Sequence, residues 1–284
     1  MKRTLLIPID FDEYSPLIMN FCAGTRKRGI VKCVLMHVLD TSGLESPVIS
    51  QTIDANYERL DELATPLRAE GIEVVTRVET GNRVHEIMRV AQREHADVIV
   101  MGTTKKSNLQ RLFEGSVSAA VTWGQKAPTL LLRDDILANS ENAKKLSLEW
   151  SKKLIVPVDF SESSARAVLQ CTQFDKNAIG TVRLVHILTP GRLHSQEEIN
   201  LSISEYMFRL SAFASMLKDS GIETETEVRI GEKRSDAILA EAEECGASGI
   251  VIGGGGRSSF TTFVMGSTSR AVLLGAPVPV MVVP

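Results

Sequence analysis

Gly253, Gly256, Gly266, Ser267 and Thr268 form the set of residues in this chain best suited to chemistry. They follow the apolar run Ser248-Gly249-Ile250-Val251-Ile252, which reads as a buried parallel strand. Glycines at 253 and 256 permit a sharp turn and a close approach to backbone N–H groups. Beyond nine intervening residues after Gly256, Gly266-Ser267 opens the helical run Ala271-Val272-Leu273-Leu274. A helix N-terminus offers unpaired N–H donors and the positive end of a dipole, so it suits an anion. Two such donor clusters after one strand could hold the phosphates of a nucleotide.

Better-known phosphate loops do not fit. A P-loop needs Lys-Ser or Lys-Thr after its glycines, and none follows here. A dinucleotide fingerprint follows a first strand, whereas this block follows a fourth. Gly253-x-x-Gly256 alone is a weak signal. The pattern G-x2-G-x9-G-[ST], combined with Asp159 at the end of a first strand, is much more specific. In an open α/β sheet, ligands bind beyond the carboxyl ends of the strands. A carboxylate there can accept hydrogen bonds from both ribose hydroxyls. The alternative for Asp159, and for Asp10, is a helix N-cap. The glycine block in the same segment favours the ligand reading. Val38 and Ile187, at the ends of second strands, suit the wall of a flat pocket for a base, or ordinary core.

The elements that must position these residues occur twice. Leu6-Ile7-Pro8-Ile9-Asp10-Phe11 returns as Ile155-Val156-Pro157-Val158-Asp159-Phe160, and Leu35-Met36-His37-Val38 as Leu184-Val185-His186-Ile187. Gly71, Gly81, Gly102, Gly115 and Pro128 return as Gly221, Gly231, Gly253, Gly266 and Pro279. The offset stays between 149 and 151, which marks a duplication of whole domains. Each copy alternates β-branched apolar runs with amphipathic ones, the pattern of a parallel sheet covered on both faces. The fold class is therefore α/β: two repeated, doubly wound domains at 1–135 and 151–284, with a linker at 136–150. In the second copy, strands are expected at 154–158, 182–187, 223–229, 249–252 and 280–283. Ser195 to Glu198 reads as a capping box ahead of a long apolar stripe that Gly221 stops. The linker is polar, and its leucines at 137, 146 and 148 suit a short helix.

Composition narrows the function. The 284 residues carry a net charge of −3, 43% hydrophobic and 24% charged residues, an ordinary globular balance. No broad basic surface for nucleic acid is implied. Met1-Lys2-Arg3 and the short apolar run after it faintly resemble a leader, but Pro8 and Asp10 end the run early. No stretch approaches a membrane span, so a cytoplasmic protein is expected. Cys22, Cys33, Cys171 and Cys245 form no CxxC pair and read as buried apolar residues. His37 and His186 lack a second ligand and read as structural. No serine-nucleophile, zinc or EF-hand pattern occurs, and no metal site is expected.

These residues resemble the universal stress protein family in its tandem form. The resemblance rests on 157–162, on His186-Ile187, on Gly253, Gly256, Gly266 and Ser267, and on 279–283. It implies a five-stranded parallel sheet in each domain, association through the last strand, and binding of ATP or AMP, with any Mg carried by ATP. Carried over by position, Pro157, Val158, Asp159 and Ile187 would border the adenosine and Gly253 the ribose. Gly256, Gly266, Ser267 and Thr268 would hold the phosphates. Arg257 lies close to that loop, as a phosphate contact or as a solvated charge. The first copy departs from the pattern, because Lys105 stands where the second glycine belongs; Asp10, Gly102, Gly115 and Ser116 remain.

The expected function is nucleotide-dependent regulation, with the nucleotide in the second domain and no efficient turnover. No general base sits in the motif. A slow ATPase or nucleotidyl-type enzyme, and a scaffold for protein contacts, are the alternatives. The two final strands, apolar and at sheet edges, are expected to pair within the chain as a pseudo-dimer, with a homodimer as the alternative cover.

Overall fold

A computed structural model describes residues 3–43, 45–103, 117–124, 127–137, 140–174, 178–191, 195–255 and 266–284. The chain divides into two compact units, Met1–Leu148 and Glu149–Pro284.

In the first unit the strands are β1 (Arg3–Pro8), β2 (Ile30–Leu39), β3 (Glu73–Thr80), β4 (Val98–Thr103) and β5 (Thr129–Arg133). Between them lie α1 (Ser15–Gly24), α2 (Ser46–Leu63), α3 (Thr65–Ala69), α4 (Arg83–Arg93) and α5 (Val117–Gly124). All pairings are parallel, in the order β3-β2-β1-β4-β5. Two helices follow, α6 (Asp134–Leu137) and α7 (Ser140–Glu149).

The second unit repeats the plan. Its strands are β6 (Lys153–Pro157), β7 (Thr181–Leu188), β8 (Glu223–Ile230), β9 (Gly249–Gly253) and β10 (Val280–Val283). Its helices are α8 (Glu162–Thr172), α9 (Gln196–Asp219), α10 (Arg234–Glu244) and α11 (Ser267–Gly275). The strand order is β10-β9-β6-β7-β8, again all parallel. From β6 the chain steps outward to β7 and β8, then returns past β6 to β9 and steps the other way to β10. With right-handed crossovers, that reversal puts α8 with α9 on one face and α10 with α11 on the other. The two pairs pack accordingly. The reversal falls between β6 and β9, and a crevice opens there at the carboxyl ends of the strands.

The central strands are apolar throughout because both faces are covered. Leu154, Ile155, Val156, Leu184, Val185, Ile250 and Val251 are fully buried. Each such side chain contributes about 1.5–3 kcal/mol by leaving water. Helix α9 starts at the expected capping box: Ser195 Oγ accepts from Glu198 N, and Glu198 reaches back to Ser195 N. Gly71 and Gly221, with φ of 74° and 80°, make the left-handed turns after α3 and α9 that side chains resist.

The segment expected as linker is helical and packs on the first unit. Leu137 and Ala143 are fully buried. The Arg28 guanidinium donates to the carbonyls of Ser147 (2.9 Å) and Leu148 (2.5 Å), and Lys144 pairs with Glu70 at 2.8 Å. Gly24 of α1 is glycine for this reason, since a Cβ there would overlap the Ser147 side chain. Among the described residues, no helix is long and apolar enough to cross a membrane.

Candidate functional site

The crevice in the second unit is a cavity of about 500 Å³, within the range of small-molecule sites. Three strand ends supply its floor and walls. β6 ends in Pro157 and leads into Val158 and Asp159, β7 contributes Val185 to Leu188, and β9 contributes Ile252 and Gly253. The first residues of α11 close the far side with Gly266, Ser267 and Thr268.

Of the residues named from sequence, Pro157, Val158, Asp159, Ile187, Gly253, Gly266, Ser267 and Thr268 all line this cavity. Gly256 and Arg257 lie outside the described residues, as do Lys105, Gly115 and Ser116 of the first copy.

Asp159 is not the N-cap of α8. That position belongs to Ser161, whose side chain accepts from Ser164 N. The Asp159 carboxylate stands two residues earlier and accepts from Ser161 N at 3.0 Å and from Ser161 Oγ. This small turn fixes the carboxylate at the cavity wall. Phe160 between them has φ of 62°, a left-handed conformation costly for a side-chain-bearing residue.

The Phe160 ring packs in a way that offsets this cost. It stacks on Tyr206 at 5.7 Å, tilts against His186 at 5.0 Å, and carries the Arg209 guanidinium 3.9 Å above its centroid. Tyr206 in turn lies on His186 at 4.1 Å. His186 Nδ1 is 2.8 Å from the Val158 carbonyl, so the ring is oriented by the backbone just ahead of Asp159. The histidine thus has the structural bond expected of it, and it also faces the cavity. The first unit repeats the device: Phe11 has φ of 56°, His37 Nδ1 lies 2.7 Å from the Ile9 carbonyl, and Arg59 stands 3.9 Å over Phe11.

Burial lowers the His186 pKa from its ordinary 6.5, and the nearby Arg209 and Arg234 charges push the same way, against the Val158 hydrogen bond and Asp159. The unfolded chain therefore binds this proton more readily than the folded one, and stability rises with pH through that window. The contribution is complete above 6.5 and is lost as pH falls below it. Urea midpoints measured between about pH 7 and 5 should decline, and His186→Gln should flatten the slope.

Gly253 has a different reason to be glycine than the turn expected of it. It ends a strand without positive φ. A Cβ there would sit 2.5 Å from the Ser163 carbonyl carbon and 2.6 Å from its oxygen. The glycine lets the start of α8 lie directly on β9. Two further contacts hold the α11 side of the crevice: Ser163 Oγ donates to the Gly255 carbonyl, and Ser269 Oγ donates to the Gly253 carbonyl at 3.0 Å. α11 begins at Gly266, a residue with no side chain to cap the first-turn N–H groups.

Sequence reasoning missed Ser163, Tyr206 and Arg234 as wall residues. Tyr206 falls on the apolar stripe of α9, where helical periodicity alone marks it as core. Ser163 and Arg234 stand at helix starts, where they are indistinguishable by type from ordinary surface residues.

Asp159 is the sole carboxylate among the described wall residues, and the described residues hold no cluster of three metal-ligating side chains. The arrangement can accept hydrogen bonds from a diol at Asp159, face an aromatic base with apolar and ring surfaces, and donate to an anion from α11.

The family model described as universal stress protein family matches residues 1–133 and 151–284. A universal stress protein of Methanocaldococcus jannaschii is 27% identical over 148 residues, spanning 47% of this chain and 83% of its own length. The crystal structure of a universal stress protein from Archaeoglobus fulgidus superposes with a TM-score of 0.73 at 25% identity, covering 99% of this chain and 95% of that one. A functionally unknown protein of Pseudomonas aeruginosa, 16% identical with a TM-score of 0.66 over 99% of this chain and 92% of its own, shares the fold. With both halves matched by one family model, the chain belongs to the universal stress protein family and carries that family's domain twice.

Proposed function

We propose that the second unit binds an adenine nucleotide, ATP or AMP, and that the bound nucleotide governs a regulatory or stress-response role of this cytoplasmic protein. The observation that carries this reading is the meeting, in one cavity, of Asp159, the apolar wall at Ile187 and the start of α11 at Gly266. Asp159 receives the ribose hydroxyls, and Gly266, Ser267 and Thr268 donate to phosphate. Asp159, the one carboxylate in the described wall of this cavity, is committed to ribose, and Glu232 shares the adjoining chamber with the cations Lys233 and Arg234, so we infer no efficient activation of water. Bound ATP accordingly persists, far below enzyme rates of roughly 1 per second or more.

The first unit differs at the equivalent places. Tyr14 stands where Ser163 reaches Gly255, and Lys105 where Gly256 belongs. Asp10 is engaged by Arg83 at 3.4 Å. One nucleotide per chain is the expected stoichiometry.

Equilibrium binding of labelled ATP and adenosine tests the assignments. Asp159→Ala should weaken both ligands by about tenfold, since a ribose contact of ~1.4 kcal/mol is lost from each. Gly256→Lys should weaken ATP far more than adenosine. Equal ATP-to-adenosine ratios in the two variants would overturn the roles, two equal sites per chain would overturn the asymmetry, and no binding at millimolar ligand would overturn the site.

A further inference from the structure

The nucleotide cavity has a side chamber of about 300 Å³ on the α10 side. Thr189, Arg234, Ser267 and Thr268 line both spaces, so the two adjoin. The chamber adds Lys233, Ser235 and the carboxylate of Glu232 to its wall. It therefore lies between the starts of two helices, α10 and α11, with two cationic side chains and one anionic one around it.

Comparison of the duplicated units shows that this arrangement is specific to the second. Helix α4 in the first unit is the repeat of α10. It is capped by Asn82, whose side chain accepts from His85 N at 3.1 Å. Its first residue, Arg83, closes on Asp10. Donor and cation are thus both satisfied by the unit's own side chains. In α10 the N-cap position holds Lys233, which provides no side-chain cap and cannot accept a hydrogen bond. Lys233 itself pairs with Asp236 at 3.0 Å. Arg234, the repeat of Arg83, is paired with no carboxylate among the described residues and borders both spaces. The Asp159 carboxylate is meanwhile turned to Ser161 N and Oγ. The arginine that pairs with the strand-end aspartate in one unit thus borders the cavity without that pairing in the other.

From this we infer that the side chamber is an anion subsite in which Arg234 takes the distal phosphates of a nucleotide whose first phosphate lies at Gly266–Thr268. This deepens the nucleotide reading and rests on it: it selects the triphosphate over the monophosphate. A guanidinium offers several N–H donors in a fixed fork that matches phosphate oxygens, and α10 adds its dipole end. Glu232 works against this charge, which places the attraction on Arg234 specifically rather than on a general basic surface. Affinity should therefore climb with phosphate number, and Arg234 should be the residue that makes it climb.

Calorimetry on the full chain with adenosine, AMP, ADP, ATP and inorganic tripolyphosphate tests this. In the unaltered protein, ATP should bind about tenfold or more tightly than AMP. Arg234→Ala should reduce that ratio to near one while adenosine binding stays constant, and Arg234→Lys should restore part of it. Tripolyphosphate should compete with ATP in the unaltered protein and not in Arg234→Ala. Arg234 is exposed, so the variants should unfold at the parent's urea midpoint. Equal affinity for AMP and ATP, or an Arg234→Ala loss shared equally by adenosine and ATP, would overturn the subsite while leaving the nucleotide site standing. Failure of adenosine and all three nucleotides to bind would overturn the nucleotide reading itself, and the subsite with it.

Discussion

Gly253→Ala should destabilise the second unit by about 3 kcal/mol, the upper end for overpacking a closed interior. The added methyl meets backbone, the Ser163 carbonyl group at 2.5–2.6 Å, and backbone at a helix start cannot rotate away. α8 must shift off β9, and the Ser163 to Gly255 contact shifts with it. Nucleotide affinity should therefore fall together with stability. Gly102→Ala is the matched control. A Cβ there meets the tip of Ile18 at 2.8 Å, the end of a flexible side chain that has other rotamers. Its cost should stay below about 1 kcal/mol. Urea unfolding followed by tryptophan emission measures both, and equal costs would refute the backbone-approach explanation.

Glu241→Ala should be nearly as damaging, at about 3 kcal/mol. The Glu241 side chain is only 6% exposed and lies 2.7 Å from Arg183 Nε and 2.6 Å from Arg229 Nη1. Removing it leaves two guanidinium groups, themselves about three-quarters buried, short of a partner. Arg183 keeps Glu225 and Glu227, and Arg229 keeps Glu244, which limits the loss. The corresponding position of the first unit, Val90, is fully buried and apolar, so no such debt arises there. Glu241→Gln retains the shape and some hydrogen bonding and should fall between Ala and the parent. A Gln variant as unstable as Ala would show that charge, rather than packing, sets the whole effect.

The architecture was legible in the sequence because its causes are local and repeated. β10 runs over Val280–Val283 as the apolar run predicts, and β7 and β9 differ from expectation by a residue or two at their ends. The capping box and the glycine stops wrote the limits of α9 directly. The cavity was legible where two distant blocks carried unusual residues, at Asp159 and at Gly266-Ser267. What was not legible depends on pairs distant in sequence. Whether Arg83 or Arg234 faces a carboxylate or a cavity follows from side-chain directions that type alone does not set. The reason for Gly253 was misread because strand-to-helix contact leaves no local mark, whereas glycine-rich sequence suggests a turn. Each histidine bonds to backbone, at Ile9 and at Val158, and its place against Phe11 or Phe160 depends on the left-handed residue after each aspartate, which type alone does not announce.

The packing of α6 and α7 separates what is inherited from what folds. The repeated family domain stops at residue 133, yet the first compact body runs to Leu148. Fifteen residues that belong to neither copy of the repeat have become part of one of them, with Leu137 and Ala143 in its interior and Arg28 anchored to their far end. A fragment cut where the homology ends would strip an apolar surface bare and take the Ser147 and Leu148 carbonyls from Arg28, so it should clump on expression, whereas one cut after Leu148 should stay in solution. The duplicated halves are therefore no longer interchangeable modules: the junction between them has been annexed by the first.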